Sequence, residues 1–287
     1  MSTETFTAPE TLSISTAPAD AGGRFRGAVR DVAVLTARNF VHLAREPLRL
    51  SDVTIQPVLF TLLFVYVFGA GVVVSHGNYT DFAIAGLLAM NLTTSAIGTA
   101  VGLSTDLRTG VIDRFRTLPI WKPSVLVGRS LTDLLSAALC AAIVIATGFV
   151  VGWRPDASLG STLAGVGIFL LFGYAVSWGC ACLGLVSQDA ESAQGLGLII
   201  LFPLAFVSNA LVPTAHMPAV LRTIANWNPV SAVTTAARQL FGNPNPSAAI
   251  HAWPMQHPVL ASLLWSVALL AVFAPLASAL YRRRTTD

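Results

Sequence analysis

Charged and hydrogen-bonding side chains that could do chemistry gather in one place in this chain. Residues 105–129, TDLRTGVIDRFRTLPIWKPSVLVGR, make a polar, basic island between long apolar runs. On a helix, Leu107, Val111, Ile112, Phe115 and Leu118 take one side, while Asp106, Thr109, Asp113 and Arg116 take the other. Pro119 stops such a helix. Acids and arginines sharing one face beside membrane spans suit the docking of a soluble partner by charge. A loop of the same composition also serves simply to be solvated and to set topology.

Bond-making chemistry finds little support. No His-Glu-x-x-His, Gly-x-Ser-x-Gly or Cys-x-x-Cys element occurs, and the five histidines are scattered. Lys122 is the only lysine and Pro123 follows it, so a phosphate-cradling Gly-x-x-x-x-Gly-Lys loop is excluded. Cys140, Cys180 and Cys182 sit inside apolar runs and read as small buried hydrophobes, with no carboxylate or histidine nearby to complete a metal site. Asp133 is the only charged residue clearly within an apolar run, four residues after Arg129, a spacing that favours a local helix pair over proton coupling. A short acidic stretch, residues 187–194 (SQDAESAQ), offers Asp189 and Glu191 as a second partner contact or forms a plain turn.

The elements that must position these groups are membrane helices. Of 287 residues 54% are hydrophobic and 11% charged, against about 25% charged in ordinary soluble domains. The net charge of +3 and the pI near 9.0 come from basic residues beside apolar runs, which is a topology signal and not a nucleic-acid footprint. Residues 1–23, rich in Ser, Thr, Ala and Pro, form a disordered tail. Residues 24–50 carry six arginines and an apolar stripe, predicting an amphipathic interfacial helix punctuated by Pro47. A domain over residues 51–284 follows, with apolar runs at 53–74, 82–103, 131–151, 163–186, 195–212 and 259–280. Each is near the roughly 20 residues needed to cross about 30 Å of hydrocarbon.

Orientation follows from alternate loops. With the amino terminus inside, 14 of the 17 lysines and arginines fall on inner segments, and only Arg154, Arg222 and Arg238 fall outside. Both termini and the 105–129 island are therefore cytoplasmic. Outside, residues 213–257 hold apolar runs too short to span, at 219–227 and 230–241, separated by Asn228-Pro229. They predict re-entrant or interfacial helices, with Trp227 and Trp253 as interfacial anchors. Within the second run, Gly98 and Gly102 have the spacing that lets another helix approach closely. Asn91, Thr93, Thr94 and Ser95 on that run, and Phe202, Phe206 and Asn209 around Pro203 on the fifth, either line a path for an amphiphile or bond helix to helix.

The order of these parts resembles a known family. Gly110-Val111-Ile112-Asp113-Arg114-Phe115-Arg116-Thr117-Leu118-Pro119, with Trp121 and Pro123 after it, is similar to the permease subunits of type 2 ATP-binding-cassette exporters, in their daunorubicin and doxorubicin resistance branch. Residues 202–209 and Asn228-Pro229-Val230-Ser231 strengthen the likeness, which covers nearly the whole chain after the tail. The resemblance implies an all-α polytopic subunit with six transmembrane helices in a bacterial plasma membrane. It implies a transport subunit without enzymatic activity of its own, a second permease chain, alike or paralogous, and two separate ATPase subunits that bind ATP and magnesium. Residues 105–119 would be the coupling helix, with Asp106, Thr109, Asp113, Arg114, Arg116 and Pro119 meeting the ATPase and Asp189 and Glu191 a minor contact. Asn91, Thr94, Phe202, Phe206 and Asn209 would line the substrate pathway. Rival readings are an ion-coupled secondary transporter, disfavoured by the scarcity of buried carboxylates, and a membrane scaffold that transports nothing.

Overall fold

The structure, a computed structural model, describes residues 47–69, 71, 78–109, 124–246 and 250–284. The tail, most of the expected interfacial helix and residues 110–123 lie outside them. Every regular element among the described residues is helical. In chain order these are α1 (Pro47–Leu63), which runs into a π-helical turn at Phe64–Phe68, α2 (Tyr79–Ser95), α3 (Ile97–Arg108), α4 (Ser124–Val150) and α5 (Leu159–Val186). Then come α6 (Ala190–Phe206), a 3₁₀ turn at Thr214–His216, α7 (Ala219–Trp227), α8 (Pro229–Phe241), α9 (Trp253–Gln256) and α10 (Pro258–Arg284). Pro47, which punctuates the expected surface helix, is the first residue of α1, where a proline's missing N–H costs no hydrogen bond.

Among the described residues, four stretches are long and apolar enough to cross a membrane: Tyr79–Arg108, Gly128–Val150, Leu159–Val186 and Pro258–Arg284. Thr54–Phe68 and Ala190–Phe206 are shorter apolar helices. At about 1.5 Å per residue α6 covers about 25 Å, less than a full hydrocarbon core.

The middle of the bundle is made by α2–α3 and α5, which are largely buried, whereas α4 and α10 keep most of their surface outward. α5 packs along α10 and α3, α6 lies against α3, and α1 leans on α4. α8 is wedged between α5, α10 and α2. The outward faces carry large apolar side chains, among them Leu59 on α1, Ile199 on α6 and Val267 on α10. Faces of this kind suit contact with lipid chains, not water.

The second span is interrupted. Asn91, Thr93, Thr94 and Ser95 donate to the carbonyls of Leu87, Ala89, Met90 and Leu92 at 2.8, 2.7, 2.9 and 3.1 Å, all on their own helix. Such back-bonding competes with the helical ladder, and α2 ends directly after it. Ala96 then accepts from Thr99 at 3.0 Å, an i+3 turn, before α3 begins.

Of the two glycines whose spacing predicts a close approach, only Gly102 sits under one, and from a side chain. A Cβ at Gly98 would meet no atom within 4 Å, and one at Gly102 would run into the Arg129 guanidinium. The tight helix seam is at Gly184, where a Cβ would meet the Ala100 carbonyl oxygen at 2.5 Å, and at Gly86, where it would collide with the Ala210 carbonyl.

Candidate functional site

Two polar regions stand at opposite ends of the bundle. At the end that the charge count places inside, the inner end, α3 runs through Asp106 to Arg108 and stops at Thr109, whose hydroxyl donates to the Thr105 carbonyl at 3.0 Å. The first four residues of the expected coupling helix are thus the foot of the second span. Arg129 reaches across from α4, lies over Gly102 and forms an ion pair with Asp106. The chain leaving toward residues 110–123 is therefore tied to the chain returning from them. Asp113, Arg114, Arg116 and Pro119 lie outside the described residues. Arg129 also borders a small crevice between α3, α4 and α5, with Ser130, Asp133 and Ser177.

The loop from α5 to α6 shares this end. Asp189 is the N-cap of α6 and accepts from the Ser192 backbone N–H at 2.7 Å. That bond, with the Ser192 hydroxyl, holds its carboxyl below the usual carboxylate range, and the Arg108 charge acts in the same direction. Arg108 at the foot of α3 and Asp189 at the head of α6 are thus within electrostatic reach of each other. Glu191 is exposed one residue into the helix.

At the opposite end, the outer end by the same count, α6 stops at Phe206, three residues after Pro203; Val207 N still bonds the Pro203 carbonyl at 2.8 Å, and residues 208–212 follow as bends. Residues 208–211 are buried, and buried unwound backbone needs internal partners. One face of α8 supplies them. Asn228, capping α8, accepts from Val230 N at 2.8 Å and donates to the Leu204 and Val207 carbonyls, each at 2.7 Å. Ser231 Oγ accepts from Asn209 N at 2.9 Å, and Thr235 Oγ1 accepts from the Asn209 side chain at 2.7 Å. Arg238, fully buried, donates to the carbonyls of Phe82, Asn209 and Ala210 at 3.1, 3.1 and 2.8 Å. Its guanidinium lies 3.6 Å from the centre of the Phe82 ring. Tyr79 adds a bond to the Leu211 carbonyl at 3.4 Å.

The far end of α8 is held as firmly. Gly242 takes a left-handed φ of 71°, and Asn243 N returns to the Arg238 carbonyl at 3.0 Å, a glycine-terminated C-cap. Trp153, buried in the α4–α5 loop, donates to Asn243 Oδ1 at 3.0 Å and meets Phe241 edge-on, while Asp156 N bonds the Phe241 carbonyl at 2.9 Å. α8 is therefore a short helix sunk into the outer end, capped locally at both termini and tied there to other elements.

The residues assigned to a pathway from sequence fall into three settings. Asn91 and Thr94 use their side chains on α2 itself. Phe202 and Phe206 are 48% and 42% exposed and stack on each other at 4.2 Å on the outward flank of α6. Asn209 is fully buried and braces the unwound segment. No hydrogen bond or ring contact among the described residues joins the α2 pair to the α6 pair.

Charge counting along the sequence places Arg238 on an outer segment and says nothing of its burial, which the structure shows to be complete. A signal is present: Asn228, Ser231, Thr235 and Arg238 recur three, seven and ten residues on, among Val230, Ala232, Val233, Ala236 and Ala237. That is one polar stripe on an otherwise apolar helix.

Comparison with known proteins gives this arrangement a family. The profile of the ABC-2 type transporter family matches residues 30–241. The daunorubicin resistance ABC transporter permease protein DrrB1 of Streptomyces coeruleorubidus is 34% identical over 83% of this chain and 81% of its own length. A protein of Mycobacterium tuberculosis named as a probable doxorubicin resistance ABC transporter permease, DrrC, is 24% identical over 90% of each chain. With its helical, multi-span fold and a profile match over most of its length, the chain belongs to the ABC-2 type transporter family.

Proposed function

We propose that the chain is the membrane permease subunit of an ATP-driven exporter that carries an amphiphilic compound, such as a drug, antibiotic or lipid-like molecule, out of a bacterial cell. ATP and magnesium are bound by separate ATPase subunits, two per complex, beneath this chain and a second permease chain, a like copy or a paralogue. The short helices α1 and α6 complete six spans, with both termini cytoplasmic. The names of the relatives, which concern daunorubicin and doxorubicin resistance, support an amphiphilic cargo.

The observation that carries this reading is the inner end. The root of residues 110–123, tied by Arg129 to Asp106, stands beside the Asp189 loop, so a partner pressing there meets both inner segments at once. Thr109, Asp113, Arg114, Arg116 and Pro119 make the main docking contact, with Asp189 and Glu191 a smaller one. Asp106 serves it from behind, as the tether to α4. On the substrate side, the exposed Phe202–Phe206 stack is the surface assigned to the amphiphile, with Asn91 and Thr94 on the neighbouring span. Asn209 supports the segment behind that surface.

The test is Arg114→Ala combined with Arg116→Ala in the assembled complex. Vanadate-sensitive daunorubicin efflux is expected to be abolished, while the amount of inserted permease stays unchanged. Normal efflux by this variant refutes the docking assignment. Absence of any copurifying ATPase in mild detergent refutes the exporter reading.

A further inference from the structure

Arg238 is a puzzle of cost. A completely buried guanidinium is expensive unless paired, yet its hydrogen bonds among the described residues all go to main-chain carbonyls, with the Phe82 ring beneath it. The sequence separation from Phe82 is 156 residues, so the contact is not a local helix cap. What the site requires is the shape of the group. Its planar fork sends donors in fixed directions to three carbonyls on two elements, Phe82 in the first turn of α2 and Asn209 and Ala210 in the unwound segment. A lysine keeps the charge as a single compact point and has no such fork.

The same seam is bare of side-chain padding. Gly86 lets the Ala210 carbonyl settle directly on α2, because any Cβ there would collide with it. The unwound segment is therefore pressed against the second span on one side and drawn in by Arg238 on the other. α8 itself is anchored by Asn228 at its start and by Trp153 and Asn243 at its end.

We propose that Arg238 is a positioning residue for transport: its guanidinium, acting through the carbonyls of Phe82, Asn209 and Ala210, holds residues 207–212 against α2 as the seal of the outer end. The seal opens only when α8 moves as a whole, so that hydrolysis at the other end is matched to release. This rests on the exporter reading, and Arg238 touches no substrate.

The experiment uses the complete permease–ATPase complex with Cys140, Cys180 and Cys182 replaced by alanine and Ser208→Cys as a reporter, since Ser208 is 2% exposed beside the seam. A membrane-impermeant maleimide is applied from outside, and efflux per ATP hydrolysed is measured in parallel. Arg238→Lys, normalised to assembled complex, is expected to raise the labelling rate about tenfold and lower efflux per ATP by a similar factor, the scale of removing one charge-assisted hydrogen bond. Arg238→Met should behave at least as badly, because charge without the fork gives no rescue. Unchanged labelling and unchanged efflux per ATP in Arg238→Lys overturn the proposal, as does full rescue by lysine. If Arg238→Lys fails to assemble, Phe82→Leu removes the ring and leaves every carbonyl. It is expected to raise labelling about threefold, and no rise overturns the proposal. Loss of vanadate-sensitive efflux in the unsubstituted complex refutes the exporter reading alone, since labelling at position 208 still reports the seal.

Discussion

The outer and inner ends of this bundle are held together by different means. Outside, backbone is fixed by side chains that reach across elements: Asn228, Ser231, Thr235 and Arg238 from α8, and Tyr79 from α2. Inside, apolar packing of Leu103, Leu185, Ala277 and Tyr281 joins α3, α5 and α10, and the charged contacts include an ion pair between Arg129 and Asp106 and a carboxylate cap at Asp189. The first arrangement resists opening one bond at a time, since breaking any of its hydrogen bonds strands a buried carbonyl or N–H. The second is partly exposed, and its charges exchange partners at little cost. An end built the first way keeps its own shape. An end built the second way is suited to take its shape from whatever docks on it.

That contrast can be broken by substitution, beginning with the most damaging. Gly86→Val drives a branched side chain into the Ala210 carbonyl, where neither backbone can retreat, and is expected to cost about 3 kcal/mol as overpacking. Gly98→Val meets open space within the chain and should stay within about 0.5 kcal/mol of the parent. Thermal unfolding followed by size-exclusion in detergent ranks the two. Equal damage at both positions would mean that the face at Gly98 is covered in the assembled protein, and the bundle's tight seams would then not be confined to a single chain.

Asn228→Ala is next. It removes the cap of α8 and both donors to the Leu204 and Val207 carbonyls, and is expected to cost about 2 kcal/mol, with Asn228→Asp retaining the cap and losing the donors. If the aspartate variant were as stable as the parent, the carbonyls would not be what the outer end depends on. The smallest effect is at the inner end. Asp189 has a lowered folded pKa, so its contribution is complete above the usual carboxylate range and is lost as pH falls through the folded value. The protection of the first-turn amides of α6, notably Ser192, measured against the intrinsic exchange rate at each pH, should therefore fall at acid pH in the parent. In Asp189→Ala that protection should be low at every pH, with the outer end untouched. A pH response that spread to the unwound segment would join the two ends that the structure keeps apart.

Much of this is legible in the sequence wherever the signal is local. The apolar runs, the short outer helices at 219–227 and near 230–241, and the break at Asn228-Pro229 all depend on neighbours within a few residues, and the helices α7 and α8 fall where the pattern puts them. What the sequence hides is partnership at a distance. Thr93, Thr94 and Ser95 read as a polar lining, yet each satisfies its own helix just before the interruption at Ala96. Asn209 reads as pathway, and the bonds that Ser231 and Thr235 of α8, some twenty residues later, make to it leave no trace in its local sequence. Gly98 and Gly102 have the right spacing on one helix, but spacing says nothing of whether a second helix comes to that face. The docking residues Asp113, Arg114, Arg116 and Pro119 rest on the family motif and lie outside the described residues.

Asn228 also constrains how the molecule can be made. Synthesis delivers the Leu204 and Val207 carbonyls first, and their donor arrives 24 and 21 residues later. The Asn209 and Ala210 carbonyls wait longer still, for Arg238. Until then the broken end of α6 has no partner that lipid could supply. The end of α6, the unwound segment and α8 are therefore a single unit of biogenesis, which must either stay in an aqueous or protein-lined setting until residue 238 has emerged or enter the bilayer together.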